Sequence, residues 1–149
     1  MSAKLEHWFA DKQHRLLAWR EWRKTLETQD QAAFLESVAE WWKFVPLVNR
    51  SIDPWTAETW PTAWELVGSG EFCKNAQGLG IFYTLVLSGI NCRLVYAHFK
   101  DRSDAKLLVI VDNNKVLNYS DGEVLDLKNT EFDIHSTWQS SDLARLVKV

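Results

Sequence analysis

Between residues 72 and 99 the hydrophobic period of the chain changes, and that change constrains everything around it. Phe72, Ala76, Leu79, Tyr83 and Val86 fall on one helical face, Ile81, Phe82 and Leu85 make the opposite face apolar too, and Gly89 closes the run. A helix that is apolar all round is buried on all sides. From Cys92 onward the period becomes two. Residues 92–99, 106–111, 115–119 and 123–127 read as short strands, separated by polar turns at 100–104, 112–114 and 120–122. Consecutive strands with short turns make an antiparallel β-meander. The expected fold is therefore α+β, with a central buried helix laid across the sheet.

Ahead of that helix the pattern is helical and then irregular. Leu5, Phe9, Leu16, Trp19 and Leu26 recur at spacings of three and four across residues 4–27, with a break at Lys12, which predicts an amphipathic helix with a narrow apolar stripe. Thr28 followed by Gln31 reads as a capping box for a second helix, whose face is Phe34, Val38, Trp41 and Val45 and which Pro46 stops. Residues 46–61 carry Pro46, Asp53-Pro54 and Trp60-Pro61 and read as an extended connector; Thr62 and Glu65 then cap a short helical turn that runs into Gly68-Ser69-Gly70. A chain of 149 residues supports one core rather than two. The expected organisation is a single domain over 1–149: a helical pair over 1–45, a Trp/Pro connector over 46–70, and helix plus sheet over 71–149. Residues 128–149 are weakly patterned, and Phe132, Ile134, Trp138, Leu143 and Leu146 leave an edge strand and a short helix open there.

Composition excludes several classes of function. Seventeen Lys plus Arg against 20 Asp plus Glu leave a formal charge of -3 with no basic block, so neither nucleic acid nor a membrane surface is an expected partner. No run of 18 apolar residues occurs, and Lys4, Glu6, Asp11, Lys12 and Arg15 interrupt the first residues, so the expectation is a protein that resides or assembles in the cytoplasm. Cys73 and Cys92 lie at opposite ends of the central helix, about 20 Å apart at 1.5 Å per residue, beyond disulfide reach. The Cys and His spacing offers no metal site, and no cofactor is expected.

Tryptophan is the unusual feature. Of nine, Trp8, Trp19, Trp22, Trp41, Trp42, Trp55, Trp60 and Trp64 all lie in the first 64 residues. Aromatic and Arg anchors dominate stable interfaces. The run Trp19-Arg20-Glu21-Trp22-Arg23 therefore reads as a docking surface for other protein subunits, with Trp19, Trp22, Arg20 and Arg23 as its anchors.

Cys73 follows a Gly-rich turn and opens the buried helix, a position where unpaired N–H groups and the positive dipole end favour a thiolate. Residues 68–119 resemble the transglutaminase-like branch of the papain-like cysteine peptidases. In that family a turn leads to Cys at the head of a central helix, a His opens the second of the following antiparallel strands, and Asp or Asn closes the third. The resemblance is carried by Gly68-Ser69-Gly70-Glu71-Phe72-Cys73, Lys106-Leu107-Leu108-Val109-Ile110-Val111 and Lys115-Val116-Leu117-Asn118-Tyr119. It implies a site made of Cys73, Lys106 and Asn118, with Lys106 standing where the family has His. A lysine near its ordinary pKa of about 10.4 is protonated at neutral pH and takes no proton from a thiol. Among the histidines, His98 lies one strand early, His7 and His14 belong to the first helix, and His135 lies in the tail.

A second resemblance covers Asp53-Pro54-Trp55, residues 60–66, Phe72-Cys73-Lys74-Asn75-Ala76 and residues 78–85. These are similar to transglutaminase-like proteins encoded by tailed bacteriophages among virion genes. That similarity implies a non-catalytic structural or assembly component of a virion, in the tail or baseplate, put together in the host cytoplasm from protein subunits. The alternative is a cysteine-dependent peptidase, amidase or acyltransferase with Cys73 as nucleophile.

Overall fold

Residues 7–48, 52–100 and 104–147 are described by the structure, a computed structural model. Helix α1 spans Lys12–Thr25 and α2 spans Gln31–Lys43. A short α3 (Ala63–Ser69) precedes the central helix α4 (Lys74–Leu87), and five strands follow: β1 (Cys92–Phe99), β2 (Ala105–Val111), β3 (Lys115–Leu117), β4 (Val124–Asp126) and β5 (Phe132–Gln139). A final turn of helix, α5 (Ala144–Val147), ends the described chain. The sheet order is β4-β3-β2-β1-β5 and every pair is antiparallel. The meander runs outward from β1 to β4, while the tail returns to pair β5 with the other edge of β1. The fold is thus the expected α+β arrangement, and the open question of the tail resolves into an edge strand and a short helix.

Caps decide where the first helices begin. The Asp11 carboxylate accepts from His14 N at 2.9 Å, so α1 starts at Lys12, and His7–Phe9 form a separate turn of 3-10 helix. The residue 4–6 portion of the expected helix lies outside the described residues. For α2 the capping-box reading of Thr28 and Gln31 is corrected: Asp30 is the N-cap and accepts from Ala33 N at 2.9 Å. Thr62 and Glu65 do form a reciprocal capping box on α3, and Gly70 ends that helix at φ 69°, a left-handed conformation that suits glycine.

Helix α4 is enclosed by the sheet on one side and by the other helices on the rest. Close approach needs glycine at two points. A Cβ on Gly78 would collide with the Leu107 carbonyl of β2, and one on Gly80 would collide with the Trp42 indole of α2. One turn later, the buried Thr84 hydroxyl accepts from Trp19 Nε1 at 3.2 Å and Trp42 Nε1 at 3.1 Å, and donates to Gly80 O at 2.8 Å. One hydroxyl thus satisfies two indole N–H groups inside the core. Trp19 is 1% exposed, so its place in the docking surface is corrected. The stripe of α1 needs a partner, and the same chain supplies it: α3 packs along it, with Arg15 donating to Val67 O and Gly68 O and Trp19 edge-on to Trp64, while Thr84 of α4 meets the Trp19 indole. Trp22 is half-buried and stacks on Trp41, with centroids 4.2 Å apart and planes 7° from parallel. Arg23 lies over the Trp19 ring, and Arg20 is exposed.

Thr84→Val preserves shape and removes the shared acceptor. Leaving two buried indole N–H groups unsatisfied, at about 1–3 kcal/mol each, should lower the unfolding free energy by about 2–5 kcal/mol in urea titrations. Thr84→Ser keeps the hydroxyl and should lose less than half of that.

Alkaline pH should weaken the fold as well. Burial, followed by the Asp112 charge, pushes the Cys92 thiol from 9.0 up to about 12. Burial also raises the Tyr83 phenol, which donates to Pro61 O at 2.6 Å. Above pH 9 the unfolded chain releases the Cys92 proton while the folded chain keeps it, so stability is full below pH 9 and falls as pH climbs toward 12. Urea midpoints between pH 8 and 11 should show that decline, and Cys92→Ala should make it shallower.

Candidate functional site at the head of the central helix

The other N-caps show what is unusual about α4. Asp11, Asp30 and Thr62 each cap their helix through a side-chain oxygen, whereas the N-cap of α4 is Cys73, whose side chain makes no cap hydrogen bond. The first backbone hydrogen bond of α4 is Gln77 N to Cys73 O at 3.1 Å. The amides ahead of it are among those a helix leaves without intrahelical partners. Cys73 is half-buried and lines a cleft of about 470 Å³ together with Ile52, Asp53, Trp60, Glu71 and Ala76. Hydrogen bonds from the Trp55 N–H and the Thr56 hydroxyl hold the Asp53 carboxyl below its ordinary pKa, and that turn forms one wall.

Asn75 fixes the helix end in place. Its Oδ1 accepts from Leu107 N at 3.1 Å, and its Nδ2 donates to Ile52 O at 3.3 Å, joining β2, α4 and the connector. Asn118 completes the clamp by donating to Leu107 O at 2.8 Å. It adopts φ 73°, a left-handed conformation that asparagine tolerates better than most residues. Asn118 therefore binds the same Leu107 peptide as Asn75, two residues along the chain from Cys73, and is engaged there with backbone.

Lys106 does not join them, which corrects its assignment as the partner of Cys73. Side chains alternate along a strand. Leu107 and Val109 pack in the cluster with α4, whereas Leu108 and Ile110 pack in the cluster on the far face of the sheet. Lys106 shares the parity of the latter pair: its Nζ lies 3.9 Å from the Asp121 carboxylate and 6.0 Å from the centre of the Phe99 ring. The helix-facing residue at the head of β2 is Ala105, which carries no ionisable group. Across from it in the β1 register stands His98, whose ring is 6.0 Å from that of His135 on β5. Trp55 packs edge-on against Tyr96 at 4.9 Å and contacts His135 at 6.0 Å, so the connector covers this part of the sheet. Sequence reasoning left out Asn75 and Ala105, and the strand parity that places Ala105 becomes visible once Gly78 docks on Leu107. Among the described residues, no three His, Cys, Asp or Glu side chains are grouped to hold a metal ion, and no helix is long and apolar enough to cross a membrane.

No protein-family model matches the sequence, and neither does any curated protein. Solved structures do match. LapG of Legionella pneumophila, a transglutaminase-like cysteine protease, superposes with a TM-score of 0.70 at 17% identity, covering 88% of this chain and 76% of LapG. Its calcium-bound and EGTA-treated forms superpose with the same score and identity, with 77% and 75% of LapG covered. At that identity the likeness is one of architecture: the chain has a transglutaminase-like α+β fold.

Proposed function

We propose that the chain is a cysteine-dependent enzyme of acyl-group chemistry, with Cys73 as nucleophile. One observation carries the reading. The half-buried sulfur sits at the uncapped N-terminus of the central helix, facing a cleft, in the fold of a cysteine protease. Those neighbours fit an enzyme better than a structural particle component. In this reading the Cys73 thiolate attacks an acyl carbon, and the first amides of α4 receive the oxyanion that develops there.

The residues around the sulfur narrow the substrate class. Expelling an amine from an amide requires a proton donor, and that assistance contributes about 10²–10⁴-fold. Among the described residues nothing hydrogen-bonds to Cys73 Sγ, and the helix-facing residue at the head of β2 is Ala105, with no proton to give. A thioester avoids the requirement, because its leaving thiolate departs without protonation. Bond balance is then simple: the Cys73 sulfur gains the acyl group and the donor leaves as thiolate. Acyl transfer thus fits the site better than peptidase or amidase chemistry.

A second reading is favoured by the same Ala105 and by the opposite-facing Lys106. The fold serves as a non-catalytic assembly module that binds other protein subunits, within a tailed-phage virion assembled in the host cytoplasm; the phage association rests on sequence resemblance alone.

Intact-mass analysis with a small acyl thioester separates the two. An acyl adduct on Cys73 of the folded protein, absent in Cys73→Ala and formed at least about tenfold faster than on the urea-unfolded chain, is the expected result. Iodoacetamide should modify Cys73 and spare Cys92, whose thiol burial holds it protonated. Acylation no faster in the folded than in the unfolded chain removes the enzyme and leaves the assembly module.

A further inference from the structure

We infer that the opposite end of α4 carries an independent binding site for an oxyanion, a phosphate or carboxylate group, formed by Arg20 and Arg23. A cavity of about 520 Å³ lies there, lined by the end of α1 through Arg20, Arg23 and Lys24, by Glu27 in the 3-10 turn that follows it, and by Leu87 and Ser88 where α4 ends. That volume lies in the range of small-ligand pockets. Fourteen residues of α4 separate this cavity from Cys73, about 20 Å of helix.

Arg23 is held ready. Its guanidinium stacks over the Trp19 ring, 4.2 Å from the centroid, and Trp19 is itself tied to Thr84. Its Nε is buried and has no hydrogen-bond partner among the described residues. Arg20 lies one turn earlier on the same helix, so two like charges are neighbours at a spacing of three. The other charges around them leave the pair uncompensated. Lys24 lies 3.7 Å from the Glu21 carboxylate, and among the described residues neither Arg20 nor Arg23 makes an ion pair. Glu27 is the one carboxylate in the lining, against three cations. Burial first, then the Arg20 charge, lowers the pKa of Arg23, the direction expected of a cation short of counter-charge. A guanidinium offers donors in a fixed fork that matches two oxygens of one oxyanion, and two such groups on one cavity define the ligand chemistry. The site also retains part of the expected docking surface: its arginines remain available after Trp19 is assigned to the core.

Thermal unfolding and equilibrium dialysis test the assignment, with inorganic phosphate, acetate, and potassium chloride at matched ionic strength as the additives. At a hundredfold excess over Kd, a bound anion should raise the midpoint by on the order of 5 °C over the chloride control. Dialysis should give one anion per chain. Arg20→Gln changes an exposed side chain and should keep the fold while losing both effects, and Cys73→Ala should keep both, which separates this site from the acyl-transfer reading. A response to phosphate alone assigns a phosphoryl ligand, and an equal response to acetate assigns a carboxylate. Equal gains in wild type and Arg20→Gln, or no gain with either anion over chloride, overturn the site.

Discussion

The contact between Gly78 and the Leu107 peptide sets the position of everything else. Helix α4 approaches β2 so closely that a single Cβ would strike a backbone carbonyl, and backbone in a central strand cannot yield. That contact fixes the height of α4 above the sheet, and Asn75 and Asn118 fix its end by holding the two polar groups of the same Leu107. Gly80 brings Trp42 equally close on the other side. The position of Cys73 then follows from the helix, and the orientation of the Trp19 and Trp42 indoles follows from Thr84. Glycine in a helix interior costs about 1 kcal/mol of propensity. Here the cost is offset by the packing that two bare Cα positions permit.

Much of this was legible in the sequence, and the failures have physical causes. The all-round apolar run over 72–88 and the switch to period two located α4 and the meander, because burial on every side leaves no polar face to confuse the reading. Lys106 was misplaced for the same reason in reverse. The stretch Leu107–Val111 is apolar at every position, so its alternation carries no information about which face meets the helix. A strand buried on both faces hides its parity, and one residue of error turns a side chain to the other side of the sheet. Trp19 illustrates a different limit: a large indole with a polar N–H suits an interface and a core equally, and only the distant Thr84 acceptor decides between them. Asp30 was overlooked as the cap of α2 because Thr28 and Gln31 offered the capping-box spacing, yet Asp30 stands where its carboxylate meets the Ala33 amide.

Stability alone gives little reason for a cysteine at position 73. Serine, threonine or aspartate there would give the first turn of α4 the oxygen acceptor that α1, α2 and α3 have, a gain of about 0.5–2 kcal/mol. The helix instead begins with a weakly hydrogen-bonding sulfur facing a cleft. The residues around it do have structural reasons to be what they are: Asn75 and Asn118 clamp Leu107, Lys106 answers Asp121 across the far face, and Asp53 holds its turn. Uncapped amides beside a thiol would supply the two groups that the proposed acyl transfer needs at its outset, a nucleophile and donors for the developing oxyanion. In the proposed reaction both features are used, which gives the cysteine at position 73 a reason that helix stability alone does not.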